Sequence, residues 1–164
     1  AQASCSIEDK TTTELTDELA HLGADLLVKT LPALADGTLE WVEQDEAYVT
    51  HAAKVEKSEM HLDPSVTAEQ NLRIVRAATD AAPARLSVGN RKLRACTACA
   101  LPEEASVSVD AGFARFVSGH VYVGCADRPL ELLRVKPDGK REMDASAWAA
   151  GFRELKQGVL WARD

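Results

Sequence analysis

The stretch Leu86-Ser87-Val88-Gly89-Asn90-Arg91-Lys92-Leu93-Arg94-Ala95-Cys96 decides the fold. Two short runs with alternating apolar residues flank a Gly-Asn pair, the signature of a tight β-hairpin. Downstream, Val107–Val109, Phe113–Val117, Val121–Cys125 and Leu130–Val135 read as further strands. The turns between them fall at Asp110-Ala111-Gly112, Ser118-Gly119 and Asp127-Arg128-Pro129. Five or six short strands with close turns predict a small antiparallel barrel. Pro137-Asp138-Gly139 turns out of the last strand, and from Ser146 onward Trp148, Phe152 and Leu155 recur at helical spacing. That spacing predicts a helix packed over the barrel's open end.

Upstream of the hairpin the grammar is helical. Thr67-Ala68-Glu69-Gln70 is a capping box, and Leu72 and Val75 carry a helix to about Ala78 before Asp80-Ala81-Ala82-Pro83 ends it. Arg73 and Arg76, three apart, share a face of that helix. Residues 39–63 lose periodicity and read as a surface linker, with at most a short strand near Tyr48-Val49. Earlier still, Thr11 and Glu14 form a second capping box ahead of Leu15, Leu19, Leu22 and Leu26. Gly23 is expected to end a first short helix. A second follows through Leu26, Leu27, Leu31 and Leu34, bending at Pro32 and stopping at Asp36-Gly37.

The chain has 164 residues, 46% hydrophobic and 27% charged, enough for a buried core. No apolar run approaches the roughly 18–20 residues that cross a bilayer, and no secretory leader pattern opens the sequence. It opens on Ala1, which raises the expectation of a piece of a longer protein. Net charge is −7, but residues 1–64 carry −10 and residues 65–164 carry +3. A binding face answers to local potential, so the acidic sum does not exclude a polyanionic partner for the second part. Cys5, Cys96, Cys99 and Cys125 are expected to be free thiols. Cys96 and Cys99 have metal-ligand spacing, but zinc would need Cys125 and His120 as well, and small buried sheet residues are the simpler reading. No metal site is expected. Core packing is the expected role of Phe113, Tyr122, Trp148 and Phe152.

Three further stretches, in this order, carry a resemblance. They are Glu14 through Thr38; Gln44-Asp45-Glu46 followed by Thr50-His51-Ala52-Ala53-Lys54-Val55-Glu56-Lys57; and Pro137-Asp138-Gly139-Lys140-Arg141-Glu142-Met143. Together they resemble the methionyl-tRNA formyltransferase family: the end of its catalytic domain, its interdomain linker, and its Pro-x-Gly-Lys-Lys-x-Met motif. The chain departs from that pattern at Asp80-Ala81-Ala82-Pro83-Ala84 and at Leu62-Asp63-Pro64.

The resemblance implies an α+β chain: a small antiparallel OB-like β-barrel domain with flanking helices, preceded by a helical remnant of an α/β formyltransferase domain. The boundaries are 1–38 for the remnant, 39–63 for the linker and 64–164 for the barrel. It implies an enzyme that moves a formyl group from 10-formyltetrahydrofolate to the amino group of initiator methionyl-tRNA in the cytoplasm, acting as a monomer. The family's catalytic Asn, His and Asp have no counterparts here. Asn71 lies on a helix, Asn90 in a turn, and His21, His51, His61 and His120 lack the His-Gly-Ser context. The expectation is a chain with no catalytic residues, no folate site and no activity of its own. Its task would be holding tRNA through Lys54, Lys57, Arg73, Arg76, Lys136, Lys140 and Arg141. Arg85, Arg91, Lys92 and Arg94 form a basic hairpin that no motif assigns. Two alternatives remain: the C-terminal part of a small-amine or sugar-nucleotide formyltransferase, and a stand-alone RNA-binding barrel. The leucine faces of the leading helices leave a route to self-association.

Overall fold

A computed structural model describes residues 1–102 and 104–164. The chain divides into two compact units, Ala1–Lys54 and Val55–Asp164.

The first unit is built on one helix, α1 (Thr12–Ala35). The Thr11 backbone N–H donates to Glu14 Oε2 at 2.8 Å and the Glu14 N–H returns to Thr11 Oγ1 at 3.3 Å, closing the predicted capping box. The two short helices expected from Gly23 and Pro32 are instead continuous. A mid-helix glycine costs only about 1 kcal/mol, less than the hydrogen bonds on either side supply. Pro32 forgoes a single backbone hydrogen bond, and the helix runs on to Ala35 before Asp36 caps it and Gly37 turns at φ +68°. No residue of α1 is fully buried, and Leu19, Leu27, Val28, Leu31 and Leu34 are exposed. Where the linker reading allowed at most a short strand near Tyr48-Val49, the chain forms a 3₁₀ turn, Glu46–Tyr48, whose Ala47 N–H is capped by Asp45 Oδ1 at 2.9 Å.

The second unit starts at Val55, inside the stretch expected to be linker. A 3₁₀ turn (Lys57–Met60) leads to His61, which bridges to Arg85 in parallel, and Met60 and Leu62 are buried. Helix α2 (Ala68–Ala77) starts at the predicted Thr67/Gln70 box, and the Ala68 N–H also donates to Asp127 Oδ1 at 2.7 Å. Asn71 is fully buried: its Oδ1 accepts from Asp63 N and its Nδ2 donates to Asp63 O and to Cys125 Sγ. One amide thereby satisfies both polar groups of a backbone turn and pins that turn to the barrel.

The strands are β1 (Arg85–Val88), β2 (Arg91–Ala100), β3 (Phe113–Val117), β4 (His120–Gly124), β5 (Pro129–Pro137), β6 (Met143–Asp144) and β7 (Val159–Ala162). Pairing runs β2-β1-β7-β3-β4-β5, and β5 returns to β2, so among the described residues the sheet closes into an antiparallel barrel. The two-residue β6 hangs on β5. The hairpin at Gly89-Asn90 is as predicted. Val107–Val109 forms no strand, and the closing strand β7 was unpredicted.

Leu86, Val88, Leu93, Ala95, Ala114, Val121, Val123, Leu130, Leu132 and Val135 fill the interior on alternating positions. Trp161 of β7 joins them; its Nε1 donates to Gly124 O at 2.9 Å. Gly124 has no room for a side chain, because a Cβ there would lie 2.0 Å from the Asp110 carbonyl oxygen. Helix α3 (Ala145–Ala150) packs on β4 and β5 and is followed by a 3₁₀ turn (Arg153–Lys156). Trp148 and Phe152 meet edge to face at 5.7 Å, and the Arg91 guanidinium lies 4.0 Å over Phe152. Phe113 breaks the expectation of core packing. The β3 alternation turns Ala114 inward, so Phe113 faces out opposite Leu160 and both are exposed.

Candidate nucleic-acid interface

The outer face of β1, β2 and β5 carries the basic side chains. Register places Arg85 opposite Arg94, and Arg94 opposite Lys136. Lys92 and Arg134 stand on the same strands. Like charges directly opposed in a sheet are unfavourable unless something neutralises them.

For part of this row the protein supplies the neutralisation. Arg85 Nε donates to Asp164 Oδ2 at 2.6 Å and its Nη2 to Asp138 Oδ2 at 3.0 Å. Lys92 Nζ reaches Asp164 Oδ1 at 2.7 Å. These two cations, Lys92 most strongly, hold the nearly buried Asp164 carboxyl below the usual carboxylate range despite its desolvation. Arg134 donates to Glu142 Oε1 at 2.5 Å and to Asp144 Oδ1 at 2.9 Å. Arg94 and Lys136 have no ion pair among the described residues.

The Pro137–Met143 motif now has a physical reading. Lys140 N–H donates to Pro137 O at 3.0 Å across a turn in which Gly139 takes φ +74°. Asp138 is engaged by Arg85, Glu142 by Arg134, and Met143 pairs with Val135. The motif's acids and ends fix the turn to the barrel, and its two cations, Lys140 and Arg141, project exposed without an ion pair among the described residues.

The remaining sequence-selected residues are dispersed. Lys54 closes the first unit. Lys57 opens a 3₁₀ turn of the second unit and is exposed. Arg73 on α2 is exposed and pairs with Glu69 at 3.3 Å, one helical turn back. Arg76 is half-buried on the same helix. The structure brings together Lys136, Lys140 and Arg141 at one end of β5 and adds Arg94, which no motif had marked. Its signal was the strand register, which a single sequence does not print.

Cys96 lies in this neighbourhood. Burial pushes its thiol up and Glu142 adds to that, against an opposing pull from Lys136, Arg134 and Arg94. Cys99 is exposed on the same strand, and Cys125 is buried with its thiol pushed up to about 11, chiefly by desolvation. All four cysteines are free, and no group of three or more His, Cys, Asp or Glu able to hold a metal occurs among the described residues. His120 Nδ1 lies 2.6 Å from Glu131 Oε1 beside an open cavity of about 320 Å³ that also exposes Arg134, Asp144 and Ser146.

Fold and site together define a closed antiparallel barrel with a cationic outer rim. The chain belongs to the formyl transferase C-terminal domain family, whose model matches residues 54–153. It is 34% identical to methionyl-tRNA formyltransferase of Corynebacterium jeikeium over 154 residues, covering 93% of this chain and 46% of that protein. It is 40% identical to the enzyme of the same name from Halorhodospira halophila over 148 residues, covering 88% of this chain and 46% of that one. The chain therefore spans about half the length of the curated relatives it matches. Among solved structures, a variant of HypX from Aquifex aeolicus superposes with a TM-score of 0.72 at 15% identity, over 93% of this chain and 28% of that one. That likeness concerns the fold alone. No helix is long and apolar enough to cross a membrane among the described residues.

Proposed function

We propose that this chain is the tRNA-positioning C-terminal portion of a methionyl-tRNA formyltransferase, a cytoplasmic enzyme working as a monomer. The whole enzyme would transfer a formyl group from 10-formyltetrahydrofolate to the amino group of methionine on initiator tRNA. The observation carrying this reading is the similarity to enzymes of that name along nearly the whole chain. In this division of labour the segment before about residue 39 closes the catalytic domain and a linker follows. Linker and barrel then hold RNA through phosphate contacts, from Lys54 and Lys57 in the linker and from Arg73, Arg76, Lys136, Lys140 and Arg141 in the barrel domain. Such contacts set register and orientation without reading sequence.

Formyl transfer needs a base for the amine, donors for a tetrahedral oxyanion and an acid for the leaving nitrogen. The side chains here are spent otherwise. Asn71 is consumed by Asp63 and Cys125, and Arg134, which lines the cavity beside the His120–Glu131 pair, is engaged by Glu142 and Asp144. The 164-residue chain, given formyl donor and methionyl-tRNA, should show no turnover above background. It should bind initiator tRNA with an affinity that falls as salt rises. Binding that ignores salt, or none at low salt, overturns the positioning role; robust turnover overturns the division of labour. Competition by a sugar nucleotide but not by tRNA would favour a small-amine formyltransferase instead.

A further inference from the structure

We propose that Arg94 and Lys136, directly opposed on the outer face of β2 and β5, form a two-cation seat for one RNA backbone phosphate. The proposal rests on the tRNA-positioning reading and names a contact outside the residues that the motif supplies.

The decisive contrast is within one face. Arg85, Lys92 and Arg134 each have a carboxylate of the chain within 3.0 Å. Arg94 and Lys136 are cross-strand partners with none among the described residues. A stability argument predicts an acid opposite one of them, because opposed cations repel. The sheet holds them together all the same, half-buried, where lower local dielectric strengthens both the repulsion and any relief of it. An anion between them supplies that relief. The two groups are complementary as phosphate ligands: Arg presents a planar fork for two oxygens, Lys a compact point charge. The seat is also continuous with the exposed cations of the motif, since Pro137 follows Lys136 and begins the turn bearing Lys140 and Arg141. A polyanion lying along this end of β5 meets the seat first and the turn next. That continuity and sign select an RNA backbone as the occupant.

The test is binding of initiator tRNA to the full 164-residue chain across a salt series from about 50 to about 200 mM. Arg94→Gln and Lys136→Gln should each weaken binding about three- to tenfold at the low-salt end and lower the salt slope by about one. Arg94→Lys should recover part of the loss. Lys92→Gln, which removes a cation already held by Asp164, should do much less. Equal losses for Lys92→Gln and Arg94→Gln would show a diffuse field and overturn the seat.

A second readout uses Cys96. In a Cys5→Ser/Cys99→Ser background, tRNA should slow alkylation of Cys96, and Arg94→Gln/Lys136→Gln should abolish that protection. Unprotected Cys96 in a chain that still binds tRNA overturns the seat and leaves the wider reading standing. A chain that binds no tRNA at low salt takes both down.

Discussion

The two units spend their hydrophobic residues in opposite ways. In Ala1–Lys54 the leucines of α1 lie on the outside and the helix has no fully buried residue. In Val55–Asp164 residues from strands far apart in sequence converge on one core that holds Leu86, Leu93, Leu130, Leu132 and Trp161. The first unit is held by local devices: a capping box, ladder bonds, a glycine stop. The second depends on closure of a ring. Similar apolar content thus yields a helix that any neighbour could cover and a barrel that is already complete.

The contrast breaks most violently at Gly124. Gly124→Ala should destabilise the barrel by more than about 3 kcal/mol, because the clash is with backbone that no side-chain rotation relieves. Denaturant unfolding followed by tryptophan fluorescence, in a Trp41→Phe background that leaves only the two barrel-domain tryptophans, reads this, and a change under about 1 kcal/mol would show that the Asp110 turn gives way.

Next comes the clasp at Asp164. Asp164→Asn should cost about 2 kcal/mol, since Arg85 and Lys92 lose a shared, nearly buried carboxylate. Its folded-state carboxyl lies below the unfolded value of about 3.9, so its stabilisation is present above that pH and disappears as pH falls through the folded value. The wild-type barrel should lose stability in acid more steeply than the variant.

Gly23→Ala probes the other unit. The position has open space around it, so the substitution should raise helical ellipticity through a gain of up to about 1 kcal/mol. A loss of ellipticity would mean that the glycine serves a close approach. The smallest effect in energy is chemical selectivity. Cys99 should alkylate rapidly, and Cys125, buried with its thiol held near 11, should react only when the barrel opens.

The features legible in the sequence are those with short-range causes. Both capping boxes, the Gly89-Asn90 hairpin and the strand cores at Phe113–Val117 and Leu130–Val135 need only neighbours within a few residues. Gly23 and Tyr48-Val49 are local signals that mislead, while the misses that concern the barrel are long-range. Val159–Ala162 is short and alternates exposed with covered residues, so only its pairing with both β1 and β3 makes it a strand. Asn71 looked like any helix asparagine until the fold set Asp63 and Cys125 against it. The cationic rim was half visible. Lys140 and Arg141 stand in a motif, whereas Arg94 gains meaning only from lying opposite Lys136 in the β2–β5 register.

The place of β7 has a consequence for how the molecule is made. A ribosome delivers β1 and β3 well before Val159–Ala162, the strand that joins them. Until those residues emerge, both strands present open edges to the crowded surroundings of a nascent chain. Vectorial synthesis can build the hairpin and the β3–β5 meander early, but the ring is sealed only by this late strand.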